Sequence, residues 1–153
     1  MNRRGLLISL KPHYAEMLLE GRKTVELRRI RPDIEAGDWV LLYASSPQKA
    51  LVGAFQVSGV SESTPELLWK QIGSDSGISR DDFHGYFRGV CRGVGIHVGK
   101  TIRFHQATPL DRMREMIPGF HPPQSYSYVS PDTVSGDVLC NIVRQCEEVL
   151  GRT

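Results

Sequence analysis

Two apolar runs, WVLLYA (39–44) and KALVGAFQVSGV (49–60), are separated by only the four residues SSPQ. Each is dominated by Val, Leu, Ala and aromatic residues and is punctuated by turn formers, the pattern of a strand rather than a helix. A connection this short can only return the chain on itself, so the two runs are predicted to pair antiparallel. That hairpin commits the chain to a sheet. Gly53, inside the second run, predicts a bulge or a closely approaching backbone.

The remaining elements are predicted around it. GLLISL (5–10) reads as a buried strand, and PHYAEMLLEG as a helix opened by Pro12 and stopped by Gly21. KTVELRR alternates, with Val25 and Leu27 inward and Thr24, Glu26 and Arg28 on the other face. Thr64 before Pro65, and Ser79 with Asp82 three residues later, mark two helix starts. VCRGVGIHVGKTIRFHQ (90–106) is predicted to be two strands broken by a hairpin turn at Gly99 and Lys100, and PLDRMREMI a short helix. The prolines and serines of GFHPPQSYSYVSP predict a loop. The carboxy-terminal stretch repeats Val134, Val138, Ile142 and Val149, with Leu139, Val143, Cys146 and Leu150 beside them, as an amphipathic helix would. Strands clustered at hairpin spacing, instead of alternating with helices, favour an α+β fold built on a small barrel.

At 153 residues the chain is expected to be one domain, burying about 68–70% of its unfolded surface without needing disulfides or metals. Cys91, Cys140 and Cys146 have the spacing of neither a disulfide framework nor a zinc site, and the five histidines lack metal-ligand spacing. No apolar run approaches the roughly 20 residues of a membrane span. The start MNRRGLLISL has no small-residue cleavage site, so a cytoplasmic location is expected, with no membrane partner and no cofactor. The net charge is only +2, but residues 1–31 carry Arg3, Arg4, Lys11, Arg22, Lys23, Arg28, Arg29 and Arg31 against Glu16, Glu20 and Glu26. That asymmetry suggests an anionic partner, or a solvated basic face.

Three stretches could carry chemistry. On KTVELRR, Glu26 and Arg28 share a face with Lys23 at its mouth, able to hold an anion or to tune the lysine as a base, or simply to lace a polar strand. In LLYASSPQK, Tyr43, Ser45 and Ser46 end a strand where backbone N–H and hydroxyl groups could meet an anion, or just form a turn. In HPPQSYSYV, Gln124 and Ser125 could hydrogen-bond a base edge and Tyr126 or Tyr128 stack on it, or the tyrosines could cover the core.

Taken in order, ISLKPHYAEMLLEGRKTVELRR, GDWVLLYASSPQKALVGAFQV, GYFRG and PPQSYSYV resemble the ASCH domain family, from about Leu6 to Val129. The resemblance implies a small PUA-like β-barrel flanked by helices, assigned here to 1–130; the helix over 131–153, outside the resemblance, is expected to pack on the same domain. It also implies a cleft suited to RNA or a modified nucleobase. One branch of the family resembles amidohydrolases acting on N4-acetylcytidine, and other members are described as ribonucleases. In the amidohydrolase branch a Lys in the G-R-K-T block is a catalytic candidate, with a Thr three residues later as nucleophile. Lys23 matches that Lys, but Glu26 stands where the Thr would be. The expected function is therefore a binding module for nucleic acid, RNA foremost, or for a nucleotide or nucleoside. Lys11, Lys23 and Arg28 would neutralise phosphate. Tyr43, Ser45, Ser46, Gln124, Ser125 and Tyr126 would line the pocket, and Glu26 would accept from a base. The alternative is a hydrolase, acting on an acylated nucleoside or on RNA, that uses Lys23 and Glu26 in the same cleft.

Overall fold

A computed structural model describes residues 5–132 and 136–151. Six strands form one curled sheet in the order β2-β5-β4-β3-β1-β6, from β1 (Gly5–Leu10), β2 (Val25–Arg28), β3 (Trp39–Ala44), β4 (Ala50–Ser63), β5 (Gly93–Pro109) and β6 (Tyr126–Val129). Among the described residues five α-helices surround it: α1 (Pro12–Leu19), α2 (Pro65–Ile72), α3 (Arg80–Tyr86), α4 (Leu110–Met116) and α5 (Gly136–Gly151).

The β3–β4 hairpin forms in antiparallel register from Trp39↔Gln56 to Ala44↔Ala50, with a shift between Leu42 and Tyr43. Gly53 lies at an irregularity. A Cβ there would sit 2.5 Å from the Ile102 carbonyl oxygen and 2.8 Å from a Leu19 methyl. The strand therefore needs a residue without a side chain at this point. Strand β1 runs parallel to β3, with Leu6 beside Val40 and Leu10 beside Ala44, which the crossover through α1 and β2 permits.

Alternation divides the core between the faces of the sheet. Leu6, Ile8, Leu10, Val40, Leu42, Phe55 and Ile96 pack on one side with Ala15 and Leu18 of α1. Leu7, Trp39, Leu41, Tyr43 and Leu51 take the other side, under Met113 of α4 and Leu139, Val143 and Cys146 of α5. A third cluster places Val25 and Leu27 of β2 against Leu68, Ile72, Phe83 and Phe87 from α2 and α3. Both predicted caps are present: Thr64 Oγ1 accepts from Leu67 N and Ser79 Oγ from Asp82 N.

Two expectations are corrected. Residues 93–109 form one continuous strand, not a hairpin; Gly99 and Lys100 lie within β5, and register shifts against β4 absorb the irregular pattern. The supposed loop after Pro122 and Pro123 contains β6, which pairs antiparallel with β1 from Ile8↔Tyr126 to Gly5↔Val129. The α5 reading holds from Val138 onward, while Val134 lies outside the described residues.

The edges of the sheet, β2 and β6, are joined by side chains instead of a ladder. Arg28 Nη1 donates to the backbone oxygen and Oγ of Ser125 at 3.3 and 2.9 Å, and Asp33 N donates to the Tyr128 hydroxyl at 2.9 Å. No helix among the described residues is long and apolar enough to cross a membrane.

Candidate functional site

Strand β2 is only four residues long, yet all four residues are buried. Val25 and Leu27 fill the cluster under α2 and α3. Alternation turns Glu26 and Arg28 to the other side. There they form the floor of a cleft of about 290 Å³. Its walls come from Ser9, Leu10 and Lys11 at the end of β1, Tyr14 of α1, and Ile78, Asp82 and Tyr86 around α3.

The floor is a row of three ionised side chains sealed from solvent: Lys23, Glu26 and Arg28 are 3%, 7% and 8% exposed. Arg28 Nη2 donates to Glu26 Oε2 at 2.7 Å. That is a charge-assisted bond of good length. Lys23 Nζ donates to the Ser76 carbonyl oxygen at 2.6 Å and lies 3.7 Å from Glu26 Oε1. The second separation makes an ion pair but is too long for a good hydrogen bond. The Lys23 ammonium also stands 5.9 Å from the centre of the Tyr14 ring. At that range a cation–π attraction operates. Burial lowers the Lys23 pKa below the usual lysine value, and the Glu26 carboxylate offsets part of that. Desolvation raises the Tyr86 hydroxyl above the ordinary tyrosine range, while the hydroxyl itself donates to the Leu27 carbonyl.

Local structure holds Lys23 in place. Gly77 has φ +76°, and a Cβ on it would lie 2.7 Å from the Met17 methyl and 3.3 Å from Lys23 Cβ. Only glycine takes that backbone conformation and that closeness together without strain. The segment therefore lies flat on the lysine stem, fixed by Lys23 Nζ to Ser76 and by Thr24 N donating to Asp75 O at 2.9 Å. Two polar atoms at the cleft residues have no partner among the described residues despite being buried: Arg28 Nε and Ser9 Oγ. A buried donor left without a partner costs its desolvation unless something occupies the space beside it.

Of the residues singled out in the sequence, Lys11, Lys23, Glu26 and Arg28 come together in the cleft. Ser125 joins them through its bonds from Arg28. Tyr126 packs partly buried against the α1-side core, edge-on to Tyr128, and Gln124 is exposed just before β6. Ser45 is one backbone bond away, its N–H donating to the Leu10 carbonyl at 2.9 Å; Ser46 is exposed in the same turn. Tyr43 lies on the opposite face of the sheet, beneath α4 and α5, outside the cleft lining. Thr24 is exposed and does not line the cleft, so the threonine nucleophile of the amidohydrolase branch has no counterpart there. Sequence reasoning missed Tyr14, Ile78, Asp82, Tyr86 and Ser9. Tyr86 carried one signal, an aromatic residue close to the basic block only once α3 folds back on β2.

No group of three or more His, Cys, Asp or Glu side chains among the described residues could hold a metal ion.

A family model, the ASCH domain, matches residues 8–94. An ASCH domain-containing ribonuclease from Zymomonas mobilis is 28% identical over 131 residues, 84% of this chain and 86% of that protein. The large ribosomal subunit protein uL22 of Ureaplasma parvum is 29% identical over 106 residues, 69% of this chain but 34% of that protein. Among solved structures, ASCH from Zymomonas mobilis superposes with a TM-score of 0.79 at 25% identity, covering 88% of this chain and 93% of that one. A protein from Pseudomonas syringae shares the fold at 12% identity, with a TM-score of 0.54 over 89% of this chain and 98% of that one.

Proposed function

The chain belongs to the ASCH domain family, and from that premise we propose that it binds single-stranded RNA in the cleft over Lys23, Glu26 and Arg28. The observation that carries the reading is the sealed charged floor beneath an open cleft with aromatic walls. Burying three ions costs several kcal/mol per ion before their mutual attraction offsets it. A row of apolar residues would serve stability as well, so the row fits recognition better than scaffolding. Tyr14 and Tyr86 offer ring faces to a base, Lys11 at the rim offers a cation to a phosphate, and Gln124, Ser125 and Tyr126 extend the surface past Arg28. Titrating a labelled mixed-sequence RNA against the protein from about 50 to 200 mM salt is the test, since each phosphate contact releases counterions and steepens the salt dependence. Binding that weakens steadily with salt supports the reading; no binding at low salt overturns it.

A second reading is cleavage of the bound RNA, favoured by the ribonuclease name of the Zymomonas mobilis relative and by the lowered pKa of Lys23. The lowered pKa makes the neutral amine of Lys23 more accessible; in that form it can take the proton of an attacking hydroxyl, and the ammonium so formed, steadied by Glu26, can return it to the oxygen that leaves as the P–O bond breaks. Incubation with mixed RNA and, separately, with N4-acetylcytidine, followed by chromatography, tells the two hydrolytic outcomes apart. Turnover lost in Glu26→Gln would establish catalysis at this floor, and intact substrates would leave binding as the function.

A further inference from the structure

We propose that the floor of the cleft reads one extruded nucleobase through an imide edge, the acceptor–donor–acceptor pattern of uracil. The inference rests on the RNA reading above and goes past it to the kind of base. Its basis is the order of groups along the floor. Glu26 stands between two cations, with Lys23 nearest Oε1 and Arg28 bonded to Oε2. The ammonium has spent one bond on Ser76 and keeps protons to donate. Glu26 Oε1 lies 3.7 Å from Lys23 Nζ. That is beyond hydrogen-bond length, so the oxygen keeps room for a donor. Nη1 donates to Ser125 and one Nη2 hydrogen goes to Glu26, while the buried Nε–H has no partner among the described residues. The planar fork fixes that N–H relative to the two amino groups already engaged. Along the floor the order is therefore donor, acceptor, donor, with the last, the Arg28 Nε–H, buried so that only a group seated at the bottom of the cleft could meet it.

That order selects among ligands. A phosphate would meet the Glu26 carboxylate, and a two-pronged arginine grip would have to displace the bonds that Arg28 already gives to Ser125 and Glu26. Cytosine would press its ring nitrogen lone pair on the carboxylate and its amino group on a cation. Guanine would direct an amino group at a cation. Uracil alone of the four RNA bases places a ring N–H between two carbonyl oxygens, so the N–H meets Glu26 and the oxygens meet Lys23 and Arg28 Nε. The cleft of about 290 Å³ has room for a pyrimidine nucleoside, and the aromatic side chains of Tyr14 and Tyr86 line it. Stacking between aromatic side chains is how an extruded base is held while its edge is read.

The experiment is competition against a bound labelled RNA by uridine, cytidine and 3-methyluridine, alongside direct titration of short oligouridylate and oligocytidylate, all at low salt with the full chain. Uridine and oligouridylate are expected to bind about tenfold or more tightly than their cytosine counterparts, the discrimination of one well-matched base edge. Methylating N3 removes the central donor and should abolish the advantage while leaving ring size and stacking nearly unchanged. Equal binding of the three nucleosides, a cytosine preference, or a uridine preference that survives N3 methylation overturns the imide reading while RNA binding stands. Failure of every RNA to bind overturns both.

Discussion

Two open cavities on the surface of this protein are built in opposite ways. The cleft over β2 is floored by Lys23, Glu26 and Arg28, buried ions held by one another and by backbone. The groove between β5 and α5, about 410 Å³, is based on Leu51, Ile102, Phe104, Ile142 and Cys146, with Arg103, His105, Gln106 and Gln145 at its rim. In the groove, apolar surface is partly covered by a helix and the remainder is what α5 fails to reach. In the cleft, polar groups are covered at a cost, and two of the atoms there remain without partners among the described residues. Volume alone would favour the groove. The chemistry of what is buried favours the cleft.

The largest effect that can break this contrast is loss of the central carboxylate. Glu26→Ala leaves two cations buried without a counter-charge and should cost about 3–5 kcal/mol in urea unfolding. On the other side Leu139→Ala, on the inward face of α5, should cost about 2–5 kcal/mol through the cavity it leaves. The two losses differ in how they can be repaired. Adding Lys23→Met and Arg28→Met to Glu26→Ala replaces the ion row with apolar stems of similar reach and should recover much of the stability. A triple variant no more stable than Glu26→Ala alone would mean that the row is structurally required and not held for a ligand.

Next come the pH dependences, which have opposite signs. Burial pushes the Cys146 thiol from an ordinary 9.0 up to about 11. Its folded pKa is raised, so its contribution is complete below pH 9 and is lost as pH climbs toward 11, a loss on the order of 2–3 kcal/mol at most. Lys23 has its folded pKa lowered beneath 10.5, so the unfolded chain binds the extra proton and stability rises with pH between the lowered value and 10.5. Unfolding midpoints from about pH 8 to 11 should therefore fall less steeply for Cys146→Ala than for the parent chain, and more steeply for Lys23→Met. Parallel curves for all three would remove the assigned burial at both positions.

These two regions also differ in how far the sequence revealed them. The helix over the groove announced itself through Leu139, Val143 and Cys146 at helical spacing, a local signal. The cleft is a product of long-range pairing. Alternation did place Val25 and Leu27 apart from Glu26 and Arg28, because a period of two is written in four consecutive residues. Nothing local placed Tyr86 against Leu27 or Ser125 against Arg28, since those contacts arise when α3 folds back and when β6 pairs with β1. Strand β6 itself was hidden because Pro122, Pro123 and the serines carry turn chemistry right up to a strand of four residues. Gly99 misled for a related reason: glycine in a strand pattern marks either a turn or a bulge, and only the partner strand decides which. Tyr43 sat beside good turn residues, and the register with Leu41 and Trp39 sent it to the helix-covered face instead.

The smallest expected effect is the one that tests the cleft's rim. Lys11 is exposed, lines the cleft and caps the start of α1 only through its backbone, so its side chain can be removed without disturbing the fold. If its ammonium meets a phosphate, Lys11→Ala should flatten the slope of log affinity against log salt by about 0.7 for single-stranded RNA, the release of one counterion. Gln145→Ala at the groove rim should leave that slope unchanged. The sharpest outcome is a Lys11→Ala slope that flattens while discrimination among bases persists, because that separates a rim that holds the backbone from a floor that reads the base. An unchanged slope in Lys11→Ala would move the phosphate path away from α1, toward the turn that carries Ser45 and Ser46.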